Sequence, residues 1–248
     1  MLLDKPLVRF AAPRLVGDQP GAGELITAVD AAGKHLLVGF SGGLVLETHM
    51  KMTGSWHLYR AGERWLKGQH LMRALIDVGD WLAVCFAAPV VRTHRGDATQ
   101  STSVAHLGPD LCTPDADMDA AVARFADVPE PGTSLADALL DQRIACGVGN
   151  VYKSEALWAC RLSPFATVGS LDGDQRRELL RTAQRQLLSN LTTTTRTTVP
   201  GGLAVYGRAR QPCRSCGTPI EVCEYGIHPR LTYWCPVCQP APVLHRHP

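Results

Sequence analysis

The sequence has no long hydrophobic run. Its longest strongly apolar uncharged stretch, Trp81 to Val91, is interrupted by Pro89 and is too short to cross a bilayer. No basic segment followed by an apolar one opens the chain, so no secretory signal peptide is read there. No internal repeat is present. Charged residues make up 19% and hydrophobic residues 45%, a globular composition that excludes general disorder. These absences predict an intracellular, cytoplasmic protein with no membrane partner. At 248 residues the chain has room for two or three domains.

Lysine is missing from the last third, and the charge there is one-sided. Residues 175–248 carry 10 Arg, no Lys and 3 Glu, whereas residues 1–174 carry 15 Lys/Arg against 20 Asp/Glu. The guanidinium fork suits bidentate phosphate binding better than an ammonium does. A basic end of this kind fits nucleic acid, although a solvated face would have the same composition.

The first part reads as β structure. His35–Phe40 and Leu44–Met50 flank Ser41-Gly42-Gly43, and Leu71–Asp77 and Trp81–Phe86 flank Val78-Gly79-Asp80, two glycine-bearing links that suit hairpins. A two-layered antiparallel sheet domain ending near Cys112 is expected. Past Pro114 the spacing turns helical. Helices are predicted over Asp115–Asp127, from a Thr133 or Ser134 cap through Leu139 toward Ile144, after Asn150, and from about Asp172 to Leu191. Thr192–Gly202 reads as a mobile loop. The expected divisions are residues 1–112, 113–204, 205–239 and a tail at 240–248.

Nine cysteines in a chain with no export signal favour metal over disulfides. Cys213-x2-Cys216 and Cys235-x2-Cys238, with 18 residues between the pairs, supply four thiolates for one tetrahedral Zn²⁺. Four sulfurs close the coordination sphere, so such a zinc holds structure and does not activate water. Cys223 and His228 are spare candidates between the pairs. Cys85, Cys112, Cys146 and Cys160 have no partner spacing and read as small core residues. Two strands joining the cysteine pairs would present a tight turn near Arg230.

In Gly147-Val148-Gly149-Asn150-Val151-Tyr152-Lys153-Ser154-Glu155, two glycines precede a helix start, where backbone N–H groups can converge on an anion. A plain helix–helix turn also uses glycines. With Val205-Tyr206-Gly207-Arg208 and the four-cysteine segment following in that order, the chain resembles the formamidopyrimidine-DNA glycosylase/endonuclease VIII family of base-excision repair enzymes. Gly33-Lys34 and His49-Met50-Lys51-Met52-Thr53-Gly54 extend the resemblance into the first part. The absence of an evident Asp-Pro-Arg-Arg-Phe-Gly segment places it nearer the endonuclease VIII branch.

The resemblance implies a multidomain α+β fold: an N-terminal antiparallel β-sandwich, a helix–two-turn–helix domain and a C-terminal zinc-finger β-hairpin. It implies a monomer acting on double-stranded DNA that contains damaged bases or abasic sites, as a DNA glycosylase/AP lyase. By the same resemblance Asn150 and Arg230 grip phosphates beside the lesion, Lys34 lies near the reacting sugar, and Met52 fills the gap left by an everted base. Family members begin with Pro-Glu, whose proline amine is the nucleophile. This sequence begins Met1-Leu2-Leu3-Asp4-Lys5-Pro6, where Pro6 is an internal imide. Two expectations follow: a glycosylase/AP lyase with a start upstream of Met1, or a damaged-DNA-binding protein without glycosylase activity. A zinc-ribbon transcription factor would explain the cysteines but not the Gly-Val-Gly-Asn segment.

Overall fold

The computed structural model describes residues 1–32, 35–51, 53–96, 106–127, 130–193 and 195–240. The chain forms two compact units, Met1–His106 and Leu107–Pro248.

The first unit is built from β1 (Arg9–Ala11), β2 (Ile26–Ala32), β3 (His35–Phe40), β4 (Leu44–His49), β5 (Ser55–Arg60), β6 (Met72–Asp77), β7 (Trp81–Phe86) and β8 (Val90–Arg95). They make two antiparallel four-stranded sheets, in the orders β1-β6-β7-β5 and β2-β3-β4-β8. The two hairpins expected from Ser41-Gly42-Gly43 and Val78-Gly79-Asp80 are β3–β4 and β6–β7. Val38, Phe40, Leu44, Leu46 and Val91 of one sheet and Ala74, Ile76, Ala83 and Cys85 of the other share one apolar core. Phe10 meets Phe40 edge-on across it at 6.3 Å, and Trp56 Nε1 donates to Thr48 Oγ1 at 3.0 Å. Cys85 is fully buried, and burial pushes its thiol up to about 12, so it packs as a small apolar residue. On β4, the fully buried Glu47 accepts two hydrogen bonds from Arg92, both at 3.0 Å, and faces His35 Nδ1 at 2.8 Å.

The second unit contains α1 (Met118–Asp127), α2 (Leu135–Leu140), α3 (Asn150–Ala159), α4 (Gly173–Leu188) and the antiparallel pair β9 (Glu221–Tyr225) and β10 (Arg230–Trp234). Phe125, Leu135, Leu139, Ile144, Leu157, Leu179 and Leu180 form its helical core. Three helices fall short of their expected length, α4 by ending at Leu188 with Ser189 as its C-cap, and the other two for local reasons. α1 starts at Met118 because the Asp117 carboxylate accepts the Ala120 amide at 2.9 Å and ends the turn before it. α2 stops at Leu140 because Asp141 turns to an extended ψ of 104° and binds Arg143 at 2.6 Å. Ser134 caps α2, and Asp172 with Gln175 forms a reciprocal capping box on α4.

Candidate nucleic-acid interface and metal centre

The glycine turn ahead of α3 is held from within. Gln142 accepts the Gly147 amide at 3.2 Å and donates to the carbonyls of Leu140 and Val148 at 3.0 and 3.1 Å. Gly147 has φ +99°, and a Cβ there would lie 2.9 Å from Cys112 Sγ, so only glycine fits. Gly149 is the extended N-cap residue of α3, with φ −119° and ψ −179° and no side-chain cap. The turn therefore presents Asn150 at the head of the helix.

Asn150 Nδ2 donates to the Leu231 carbonyl at 2.8 Å, tying the helix start to β10. Its Oδ1 is buried and has no hydrogen-bond partner among the described residues. Arg230, the first residue of β10, is exposed and pairs in register with Tyr225. At the other side of the hairpin turn, Ile227 N donates to Asp137 Oδ1 at 3.0 Å. Gly226 there has φ +104°, and a Cβ would sit 2.3 Å from the same oxygen.

Two charged residues of α3 had no role readable in the sequence. Lys153 is fully buried and donates to Thr232 Oγ1 at 2.7 Å. Burial lowers its ammonium pKa from the ordinary 10.5 to about 8. Glu155, also fully buried, accepts the amides of Ala204 at 2.7 Å and of Val205 and Tyr206 at 2.8 Å, and the Thr198 hydroxyl. One carboxylate thus fixes the segment that leads into the cysteine module. No local pattern could signal this role, because its partners lie 43 to 51 residues away.

The Sγ atoms of Cys213, Cys216, Cys235 and Cys238 all lie within 4.8 Å of one another, forming a group that could hold a metal ion. No disulfide joins them. The Ser215 amide points at Cys213 Sγ and the Cys238 amide at Cys235 Sγ, each at 3.4 Å, as suits sulfurs carrying negative charge. Interactions with the Thr218 side chain and backbone bring the Cys216 thiol down to about 6. Cys223 stands in β9 opposite Thr232, and with His228 it lies outside this group. Lys34 and Met52 lie outside the described residues.

Residues 107–199 match the family pattern described as the formamidopyrimidine-DNA glycosylase H2TH domain. The chain is 39% identical to the probable endonuclease 8 2 of Streptomyces coelicolor over 226 residues, covering 89% of this chain and 81% of that one. It is 38% identical to the DNA-(apurinic or apyrimidinic site) lyase Nei2 of Mycolicibacterium smegmatis, covering 89% and 84% of the two chains. The crystal structure of the MutM (Fpg) protein from Thermus thermophilus superposes with a TM-score of 0.75 at 29% identity, over 96% of this chain and 92% of that one. The chain belongs to the formamidopyrimidine-DNA glycosylase/endonuclease VIII family. Within that family the two relatives named first place it on the endonuclease VIII side. Its α+β architecture of antiparallel sheets, helical H2TH region and four-cysteine strand pair is the family's fold.

Proposed function

We propose that the protein is a DNA glycosylase/AP lyase of base-excision repair, acting as a monomer on damaged bases and abasic sites in double-stranded DNA. The observation that carries this is the fixed juxtaposition of Asn150 and β10, joined at 2.8 Å. It brings two sequence-distant residues of one family motif set, Asn150 and Arg230, to one end of α3. Asn150 retains a second amide hydrogen, and the Arg230 guanidinium is exposed, so both can donate to phosphate oxygens flanking a lesion. Lys34 is assigned to the reacting sugar and Met52 to the space left by an everted base. Residues 1–112, 113–204 and 205–239 are the corresponding working divisions, with a cytoplasmic location.

The four cysteines are proposed to hold one structural Zn²⁺. They fit it: a tetrahedral site with Zn–S near 2.3 Å sets sulfurs about 3.8 Å apart, and Cys213 and Cys238 stand at 3.9 Å. Bound there, the ion would close the two cysteine turns into one rigid end and leave no coordination position for catalysis. Metal analysis of freshly purified protein should give about one zinc per chain.

The enzymatic reading is tested with a duplex containing an abasic site. An amine that adds to the sugar aldehyde and loses water forms an imine, which permits elimination of the 3′ phosphate. Borohydride reduces that imine to a stable amine, so a covalent protein–DNA band is expected, weakened in Lys34→Ala. Tight binding of the duplex with no cleavage and no trapped band would leave a damaged-DNA-binding protein instead.

A further inference from the structure

Three side chains in the first turn of α3 hold three consecutive residues of β10. Asn150 donates to the Leu231 carbonyl, Lys153 Nζ to the Thr232 hydroxyl, and Ser154 Oγ accepts the Tyr233 amide at 3.5 Å. The spacing i, i+3, i+4 puts all three on one helix face. Thr232 passes the contact onward, because its hydroxyl donates to the Arg230 carbonyl at 3.2 Å. Both Lys153 and Thr232 are fully buried. Packing alone gives no reason for a lysine here, since a methionine would fill the volume without desolvating an ammonium. What Lys153 adds is a fixed donor and a charge directly beneath the hairpin.

We propose that Lys153 is a positioning residue for Arg230: through the Thr232 hydroxyl it fixes the hairpin backbone at Arg230, so that Arg230 and Asn150 meet a DNA phosphate as one unit. This rests on the DNA-binding reading above. The titratable and charged groups facing Lys153 are Asp137 from α2, Cys223 from β9, whose thiol burial keeps above its ordinary pKa, and Arg230 from β10. Asp137 and Cys223 favour its protonated form, while burial and Arg230 oppose it. A phosphate brought to Arg230 adds negative charge nearby and favours the ammonium. Binding near pH 8 therefore draws protons onto Lys153. A residue that merely filled space would leave no such trace.

The test uses a fluorescent duplex carrying a stable tetrahydrofuran abasic analogue and the variants Lys153→Met, Thr232→Val and Thr232→Ser. Anisotropy should show that Lys153→Met and Thr232→Val each weaken binding roughly tenfold, the order of one lost charge-assisted hydrogen bond. The double variant should lose little more than either alone, and Thr232→Ser should bind like the parent. Calorimetry at pH 8 in buffers of different ionisation enthalpy should register proton uptake by the parent and none by Lys153→Met. Parental affinity in Lys153→Met and Thr232→Val overturns the inference, as does weakened binding with unchanged proton uptake. If the parent itself does not bind the duplex, the functional reading fails. Amide exchange at Leu231–Tyr233 in the free protein then decides the positioning: faster exchange in Lys153→Met and Thr232→Val but not in Thr232→Ser supports it, and equal exchange in all four proteins overturns it.

Discussion

Glu155 illustrates how a single buried charge can organise a loop. Its two oxygens take three backbone amides and one hydroxyl from residues 198–206. Water would have solvated that carboxylate, and inside the fold the converging amides replace the water. Truncation would strand three donors, so Glu155→Ala should cost about 2–4 kcal/mol of stability. Denaturant unfolding of the two proteins checks this, and a cost below about 0.5 kcal/mol would show that the loop finds other partners. Lys153 makes the opposite kind of contribution. Its pKa falls from 10.5 to about 8 on folding, so between those values the unfolded state binds more protons. Stability contributed at this residue therefore rises with pH from about 8 toward 10.5 and is lowest below about 8. Unfolding of the parent and Lys153→Met at pH 7.5 and 9.5 should show the parent gaining more on the upward shift.

At the scale of elements, what was legible in the sequence followed the distance over which each contact acts. β3 and β4 could be read because three residues, Ser41-Gly42-Gly43, join them, and their ladder from Gly39↔Val45 to His35↔His49 follows from that turn. The three-residue β1 could not, since it exists only by pairing Arg9–Ala11 with Leu75–Asp77. β8 likewise owes its place to β4, some forty residues earlier. At the site, the cysteine spacing and the glycine turn were visible as local patterns. The link from Lys153 to Thr232 crosses 79 residues and leaves no local signature. The turn itself carries a sharp prediction. A side chain at Gly147 would face both a positive φ and Cys112 Sγ at 2.9 Å. Gly147→Ala should destabilise by about 1–3 kcal/mol and displace Asn150. DNA affinity should therefore fall with stability, and a Gly147→Ala variant with parental affinity and unfolding midpoint would contradict it.

Across the whole molecule, charge is distributed so that the basic end is less basic than its composition. Of the ten arginines in residues 175–248, Arg177 pairs with Asp119 at 2.6 Å and Arg185 with Glu178 at 2.8 Å, and Arg246 lies outside the described residues. Arg208 and Arg214 donate to carbonyls of the 200–212 segment, which anchors them but leaves their charge available. Arg230 has no ion pair among the described residues. Seven arginines therefore remain without an ion pair among the described residues. About four to six phosphate contacts would give a slope of log affinity against log salt of roughly −3.5 to −5.5, well short of the value for ten. Removing Arg230 should make that slope shallower by about one, whereas Arg185→Ala should leave it nearly unchanged, because its partner carboxylate already balances it. Titrations of an abasic-analogue duplex from 50 to 300 mM salt would measure all three slopes. A flat dependence would mean that phosphate neutralisation does not drive binding, and equal changes for the two variants would mean that the carboxylate partner of Arg185 is no shield.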